Sequence, residues 1–363
     1  MSSSPPTYGF HTTATAAAAS LSASIAGKTV LTTGVTPNSL GAHFALTLGA
    51  HRPRLLILAS RTESAIAATA AALRAAHPSV AVRGLVVDLA SLASARRAGD
   101  EVAAWQEAQE EGIAAVVDVL VLNAGVMACA YAASADGFES QFAVNHLGHF
   151  AFANRVIPGM LGPGRRPRVV VVSSEGHQLS PVRWADPGFC AGEAYDKWRA
   201  YGQAKTANCL YAWALAERLG GRGLLAFSLH PGAIATNLGR HVDVEGEDWV
   251  HLMSVFASNG NPQGFKEYWE KNPFKTLDEG TSTHVVAAFA DGLEKDNGKF
   301  LRDAQISSFD MVSPWARNSY DAERLWKMSE DMRMGVESQP GFARINKYDQ
   351  IDFHAEETYI SYK

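Results

Sequence analysis

Lys28-Thr29-Val30-Leu31-Thr32-Thr33-Gly34-Val35-Thr36-Pro37-Asn38-Ser39-Leu40-Gly41 decides how this chain is read. Residues 28–33 form an apolar, β-branched run that predicts a strand, and residues 40–48 predict a helix. Gly34 lets the chain turn sharply between them. A tight strand-to-helix turn brings backbone N–H groups to where a pyrophosphate can sit at a helix N-terminus.

The same alternation repeats downstream. Strands are expected at 54–59, 80–87, 117–122, 168–173 and 224–229, and at Phe300-Leu301. Helices are expected at 63–76, 91–110, 137–161, 200–219 and 277–290. The strands are continuous Val/Leu/Ile runs, as in a parallel sheet covered on both faces. The 363 residues would allow two domains, but this unbroken alternation argues for one α/β sheet with insertions. The expected fold is therefore α/β, a single-domain, doubly wound parallel sheet flanked by helices.

Composition removes several function classes. Hydrophobic content of 47% and charged content of 19% are those of an ordinary globular protein. A net charge of −5 argues against a nucleic-acid partner. The basic clump Arg165-Arg166-Pro167-Arg168 reads as a solvated turn before a strand. Cys129, Cys190 and Cys209 show no metal-ligand spacing and fit a reducing compartment. Each reads as a small buried residue, with lining a pocket as the alternative for Cys129. No metal is expected. No apolar stretch reaches the 18 residues of a membrane span, and residues 12–26 lack the basic start of a targeting peptide. A soluble, cytoplasmic protein is the expectation.

The end of the second strand bears on the cofactor. A carboxylate about 20 residues past the glycine turn would bind the ribose 2′-hydroxyl of NAD. Here the chain reads Ala59-Ser60-Arg61-Thr62. Arg61 can take a 2′-phosphate through charge-assisted hydrogen bonds, whereas an acid would repel it. Glu63 lies too far along and is expected to open the next helix. NADP(H) is expected over NAD(H).

Tyr201-Gly202-Gln203-Ala204-Lys205 places a phenol and an ammonium four residues apart on one helix face. The ammonium is expected to lower the phenol from about 10 toward the working range, where it can exchange a proton with a substrate oxygen.

The order of the neighbouring motifs is more specific than that pair. Thr33-Gly34 is followed by Asp88-Leu89, Asn123-Ala124-Gly125, Asn145, Ser173-Ser174, Tyr201 with Lys205, and His230-Pro231-Gly232 with Thr236. Over residues 28–335 this resembles the short-chain dehydrogenase/reductase family, and implies a Rossmann fold. Asn145-His146-Leu147-Gly148-His149-Phe150 and Leu325-Trp326-Lys327-Met328-Ser329-Glu330 look like the retinol-dehydrogenase branch and its fungal relatives. That likeness hints at specialised (secondary) metabolism.

The resemblance implies the following roles. Tyr201 is the general acid or base, and Lys205 tunes it and binds the nicotinamide ribose. Ser174 holds the substrate oxygen, with Ser173 as the rival. Asn145 helps hold a water that links Lys205 to solvent. Gly34, Asn38, Ser39, Leu40 and Gly41 form the phosphate turn. Ser60 and Arg61 meet the 2′-position, Asp88 and Leu89 the adenine, and Asn123, Ala124 and Gly125 the adenosine ribose. Pro231, Gly232, Ile234 and Thr236 reach the nicotinamide. His146 and His149 read as structural, since no third ligand stands at metal spacing.

The chain departs from the family pattern at the turn. T-G-x-x-x-G-x-G gains one residue here, and Asn38-Ser39 replaces the middle glycine. Asn tolerates the left-handed conformation, so the turn can survive. Tyr201 also stands 27 positions after Ser174, about twice the spacing in shorter members.

Residues 240–276 form an aromatic-rich excursion with Trp249, Phe256, Phe265, Tyr268, Trp269 and Phe274. It is read as a substrate cap, with a satellite core as the alternative. Residues 1–27 form an N-terminal arm with a short helix near 14–25, and residues 336–363 a polar tail of unassigned role. Many relatives pair through the helices near 137–161 and 200–219, and the C-terminal extension bears on whether a homo-oligomer forms here.

The favoured function is NADPH-dependent reduction of a ketone or aldehyde of an apolar or aromatic small molecule, or oxidation of the alcohol. A dehydratase, isomerase or cyclase on the same fold is the second reading, motivated by the irregular turn. A non-catalytic dinucleotide-binding scaffold is the third.

Overall fold

The computed structural model describes residues 8–108, 116–239, 242–243, 246–260 and 274–337. Eight strands form one sheet in the order β3-β2-β1-β4-β5-β6-β7-β8. They are β1 Thr29–Thr33, β2 Leu55–Ser60, β3 Val82–Val86, β4 Val119–Leu122, β5 Arg168–Val172, β6 Leu225–His230, β7 Phe300–Arg302 and β8 Gln305–Ile306. β1 to β7 pair in parallel, and β8 returns antiparallel against β7. Strand order reverses between β1 and β4. That switch point is where open α/β sheets take ligands, beyond the carboxyl ends of the strands.

The strands alternate sides although both sides are apolar. Leu31, Ile57, Leu120, Val169 and Val171 face one core, with α5 (Leu92–Glu107), α7 (Gly148–Met160) and α8 (Lys197–Leu219). Val30, Leu56, Leu58, Val119, Val121 and Val170 face the other, with α3 (Leu40–Gly49), α4 (Glu63–Ala76) and α10 (Leu277–Phe289). This is why the strands read as continuous apolar runs. The short helix α1 (Ala14–Ser20) covers α10, with Ala14, Ala17 and Ala18 fully buried, and α2 (Ser22–Ile25) packs against α1.

Three features differ from the expected elements. The helix expected over 137–161 is broken. A short turn, α6 (Ser140–Phe142), leads into a π-turn at Ala143–Leu147, and α7 begins only at Gly148. The Gly148 N–H bonds Ala143 O, five residues back, so the ladder slips by one at Asn145. Single π-turns inside helices recur at functional sites.

Second, a C-terminal helix, α11 (Ser319–Glu337), lies across α8. Its Trp326 is buried, with ring centroids 5.1 Å from Phe150 of α7 and 6.0 Å from Tyr211 of α8. His146 Nε2 and Ser329 Oγ are 2.7 Å apart, tying the same helix to the π-turn. The faces of α7 and α8 on this side are thus covered by the chain's own C-terminal helix. Third, β8 extends the sheet past the last expected strand.

Residues 261–273, with Phe265, Tyr268 and Trp269, and residues 338–363 of the tail lie outside the described residues. Among the described residues no helix is long and apolar enough to cross a membrane.

Candidate active site

The glycine turn follows from close packing. Gly34 has φ +76°, and a Cβ there would lie 2.7 Å from Ala124 Cα. A Cβ on Gly41 would lie 2.6 Å from both Asn123 Nδ2 and Gly34 O. Asn38, where the family has glycine, takes φ +62°. Asn is among the few non-glycine residues that reach this region readily. Ser39 caps α3, accepting from Ala42 N at 3.2 Å and donating to Gly34 O at 2.9 Å. The N-terminus of a ten-residue helix therefore opens at the switch point, beside glycines that leave the backbone uncovered. This is the arrangement a pyrophosphate requires, and the residues present fit one.

The other expected cofactor residues follow the carboxyl ends of β2, β3, β4 and β6. Ser60 is buried at the end of β2, Arg61 is exposed, and Glu63 opens α4 behind the Thr62 cap. Asp88 Oδ1 accepts from Ala90 N at 3.0 Å. Asn123 Nδ2 donates to Thr33 O at 2.9 Å, and Ala124 N donates to Thr33 Oγ1 at 3.0 Å. Gly232 takes φ +103° after Pro231. Ile234 forms an isolated parallel bridge with Lys275, and Thr236 Oγ1 accepts from Leu238 N at 3.4 Å. Gly280 of α10 lets Ile234 and Leu40 approach one another, since a Cβ there would lie 2.6 Å from Ile234 Cγ1 and 3.3 Å from Leu40 Cδ2.

Leu89 meets Gly148 still more closely. A Cβ on Gly148 would fall 2.2 Å from the Leu89 carbonyl oxygen. Both sides are backbone, so neither gives way cheaply. Gly148→Ala is expected to lose about 1–3 kcal/mol of stability through overpacking, read as a lower urea midpoint. An unchanged midpoint would show that the π-turn relaxes freely.

The catalytic candidates come from three elements. Asn145 sits on the π-turn, its side chain clamped by Val126, whose N–H donates to Oδ1 at 2.8 Å and whose carbonyl accepts from Nδ2 at 2.9 Å. Ser174 follows β5 and accepts from Gly176 N at 3.0 Å. Ser173 points the other way, donating to Lys205 O at 2.7 Å and lying 3.2 Å from Cys209 Sγ. Tyr201 is 5% exposed in α8. Lys205 lies one turn on, its Nζ 5.6 Å from the Tyr201 ring centroid and donating to Val172 O at 3.0 Å.

The electrostatics correct the simple expectation for the phenol. Burial pushes Tyr201 up to about 12, and a hydrogen bond with Ser174 pulls it back down. Desolvation sets the direction of the shift, and the lowering expected from Lys205 does not enter it. Burial likewise holds the Lys205 ammonium down at about 8.

The described part of the 240–276 excursion covers this corner. α9 (Glu247–Ser258) packs Val255 and Phe256 against Tyr201, Leu179, Trp198 and Ala128, with Trp249 partly buried beside them. Polar groups fasten its rim. Lys197 pairs with Asp248, His251 Nε2 lies 2.9 Å from Asp196 Oδ2, and Asn259 Nδ2 donates to Leu179 O at 2.7 Å. Phe274, from the same excursion, is 51% exposed.

Sequence reasoning missed the buried polar cluster behind Ser174. Glu175 N donates to His230 Nδ1 at 3.2 Å, and Glu175 Oε1 accepts from Arg302 at 3.2 Å. Lys275 pairs with Asp303 at 2.6 Å and anchors the chain next to Ile234. Nothing in the spacing of these residues announces their meeting, since β7 and the 275 segment lie about a hundred residues from Ser174. Among the described residues no group of three or more His, Cys, Asp or Glu is placed to hold a metal ion.

A doubly wound, mostly parallel sheet with a glycine turn at its switch point defines a Rossmann-type α/β fold. Residues 28–186 match the family model of short chain dehydrogenases. The chain is 38% identical over 211 residues to retinol dehydrogenase 12 of Bos taurus, covering 58% of this chain and 59% of that protein. It is 37% identical over 228 residues to a short-chain dehydrogenase/reductase of Penicillium rubens, covering 60% of this chain and 62% of that one. The matches thus span about three fifths of those relatives' own length. A solved structure of an uncharacterised protein from Mycobacterium Paratuberculosis superposes with TM-score 0.60 at 29% identity, covering 85% of this chain and 94% of that one. The chain belongs to the short-chain dehydrogenase/reductase family of oxidoreductases, in its retinol-dehydrogenase-like branch.

Proposed function

We propose that this protein is an NADP(H)-dependent oxidoreductase that interconverts a ketone or aldehyde and its alcohol on an apolar or aromatic small molecule. The observation that carries this reading is the convergence of Asn145, Ser174, Tyr201 and Lys205 beside the glycine turn, beneath the apolar face of α9. The cofactor supplies or accepts the hydride. The protein's own groups handle the proton and the orientation. Ser174 holds the substrate oxygen beside the Tyr201 ring, both side chains lying against Gly176. Tyr201 gives that oxygen a proton in reduction and removes it in oxidation. Lys205, close to neutrality at about 8, returns a proton to the phenol, with Asn145 in the relay. α9 excludes water from the phenol and offers Phe256, Val255 and Trp249 to an apolar substrate. The left-handed Asn38 accommodates the departure from the glycine pattern that motivated a non-redox reading.

The test is NADPH absorbance with purified protein and a panel of aliphatic and aromatic aldehydes and ketones. Turnover of NADPH with matching alcohol is expected. Product without NADPH oxidation would support dehydratase or isomerase chemistry, and NADPH binding with no product a scaffold.

Arg61 is the basis for NADP(H) over NAD(H), and it stands exposed at the end of β2 with no acid beside it before Glu63. Hydrogen bonds to charged groups contribute about 1.5–3 kcal/mol, so Arg61→Asp should cut kcat/KM for NADPH about 10–100-fold and favour NADH. An unchanged ratio of the two kcat/KM values would remove Arg61 as the discriminator.

A further inference from the structure

One buried side chain joins the two halves of the site. His149, 1% exposed, places Nδ1 3.2 Å from the Asn145 carbonyl oxygen and Nε2 2.9 Å from Thr33 Oγ1. A carbonyl only accepts, so Nδ1 carries the proton. Burial, together with the nearby Lys205 charge, keeps the ring neutral, with a value of about 4. Nε2 therefore has a free lone pair and accepts from the Thr33 hydroxyl. That hydroxyl oxygen accepts in turn from the N–H of Asn123 at 2.9 Å and of Ala124 at 3.0 Å. The other acceptor near the Thr33 hydroxyl, Val121 O, is farther away at 3.5 Å.

The donors therefore run one way, from the Asn123-Ala124 turn through Thr33 and His149 to the Asn145 carbonyl. Val126 fixes the Asn145 side chain, whereas the helix ladder around its backbone is shifted by the π-turn. His149 supplies the constraint on the carbonyl that a regular ladder would share. His146, its neighbour, turns away toward Ser329 and takes no part.

We propose that His149 is a positioning residue for proton delivery, holding the Asn145 carbonyl in register with the Thr33 turn so that the cofactor turn and the Asn145–Lys205 relay are set as one unit. The proposal rests on the reading above, in which Asn145 and Lys205 serve the Tyr201 proton.

The experiment compares His149→Phe, which keeps a planar ring without its nitrogens, with His149→Asn, whose Nδ2 can replace Nδ1. The carbonyl compound turned over fastest in the panel serves as substrate, and Tyr201→Phe is run alongside. Loss of one positioned hydrogen bond of about 1.4 kcal/mol corresponds to about tenfold. His149→Phe is expected to lower kcat about tenfold or more and to shift the alkaline limb of the kcat–pH profile. Its KM and NADPH affinity should stay within about threefold of the parent, and His149→Asn should recover most of kcat.

A His149→Phe protein with parental kcat and profile overturns the proposal, as does His149→Asn failing as badly as Phe. Should the Phe variant not fold, imidazole ¹⁵N NMR of the parent decides. The neutral Nδ1–H tautomer supports the bridge, and an Nε2–H tautomer or a cation at pH 7 overturns it. If Tyr201→Phe remains active, the proton-relay reading itself falls and this role falls with it. If Tyr201→Phe is dead while His149→Phe is not, only the bridge is wrong.

Discussion

Tyr201→Phe should abolish nearly all turnover while leaving the fold and NADPH binding intact. The change deletes one oxygen. The ring it leaves behind keeps its packing against Leu179, Trp198 and Phe256, so no cavity forms to destabilise α8 or α9. What is lost is the proposed proton donor beside Ser174. A positioned general acid or base contributes roughly 10²–10⁴-fold, and kcat should fall by that factor. NADPH titration by fluorescence and a thermal melt should match the parent. Activity within a few-fold of the parent would sink the assigned role. Lys205→Ala is the informative companion, because its ammonium is expected to serve both the phenol and the cofactor ribose. That variant should lose turnover and NADPH affinity together.

The second large effect is on stability at mildly acidic pH. His146, His149, His177 and His284 are buried, and desolvation holds them at about 3, about 4, about 4 and about 4, against 6.5 for a free imidazole. His230 is depressed in the same sense. In this window the unfolded chain binds protons that the folded chain refuses, so stability rises with pH. It is fully present above 6.5 and is lost as pH falls toward the folded values.

Between pH 7.5 and 5.5 each such histidine costs about 1.3 kcal/mol. Glu139 and Glu175, raised by burial, act in the opposite sense and offset part of this. The net loss should be about 3–5 kcal/mol, comparable to the whole stability of many domains. Urea unfolding at the two pH values reads it directly as a drop in midpoint with little change in slope. Equal midpoints would mean that these rings are solvated in the folded protein.

Much of the fold was legible because its signals are local. Continuous Val/Leu/Ile runs bounded by polar turns marked β1, β2, β4, β5 and β6 within a residue or two of their observed limits. The reason is that each strand is sandwiched between two cores and has no polar face. Asn38 was legible for a different local reason. A left-handed residue was needed at that point of the turn, and Asn is one of few side chains that accept it. The Tyr201/Lys205 pair was legible from the order of the motifs around it, since a Tyr and a Lys four apart on a helix are common.

Residues brought together by the fold carried no such signal. The π-turn at Asn145 leaves no mark in composition, and the close approach of Gly148 to the Leu89 carbonyl beside it comes from a separate element. The height of the Tyr201 pKa depends on how completely α9 and Leu179 exclude water, which spacing along α8 does not encode. The family pattern favours Ser174 over Ser173, but the two residues themselves carry no mark that separates them. Only the pleat of β5 sends one toward α8 and leaves the other beside the phenol. His149 reads as one more apolar-helix histidine until β1 is laid beside α7 and its two nitrogens meet Thr33 and Asn145. Strand and helix identity, the glycine turn and the Tyr201/Lys205 spacing are thus properties of short stretches of chain. Desolvation, side-chain direction and contacts between distant segments exist only once the sheet has closed its two cores, and tertiary structure alone sets them.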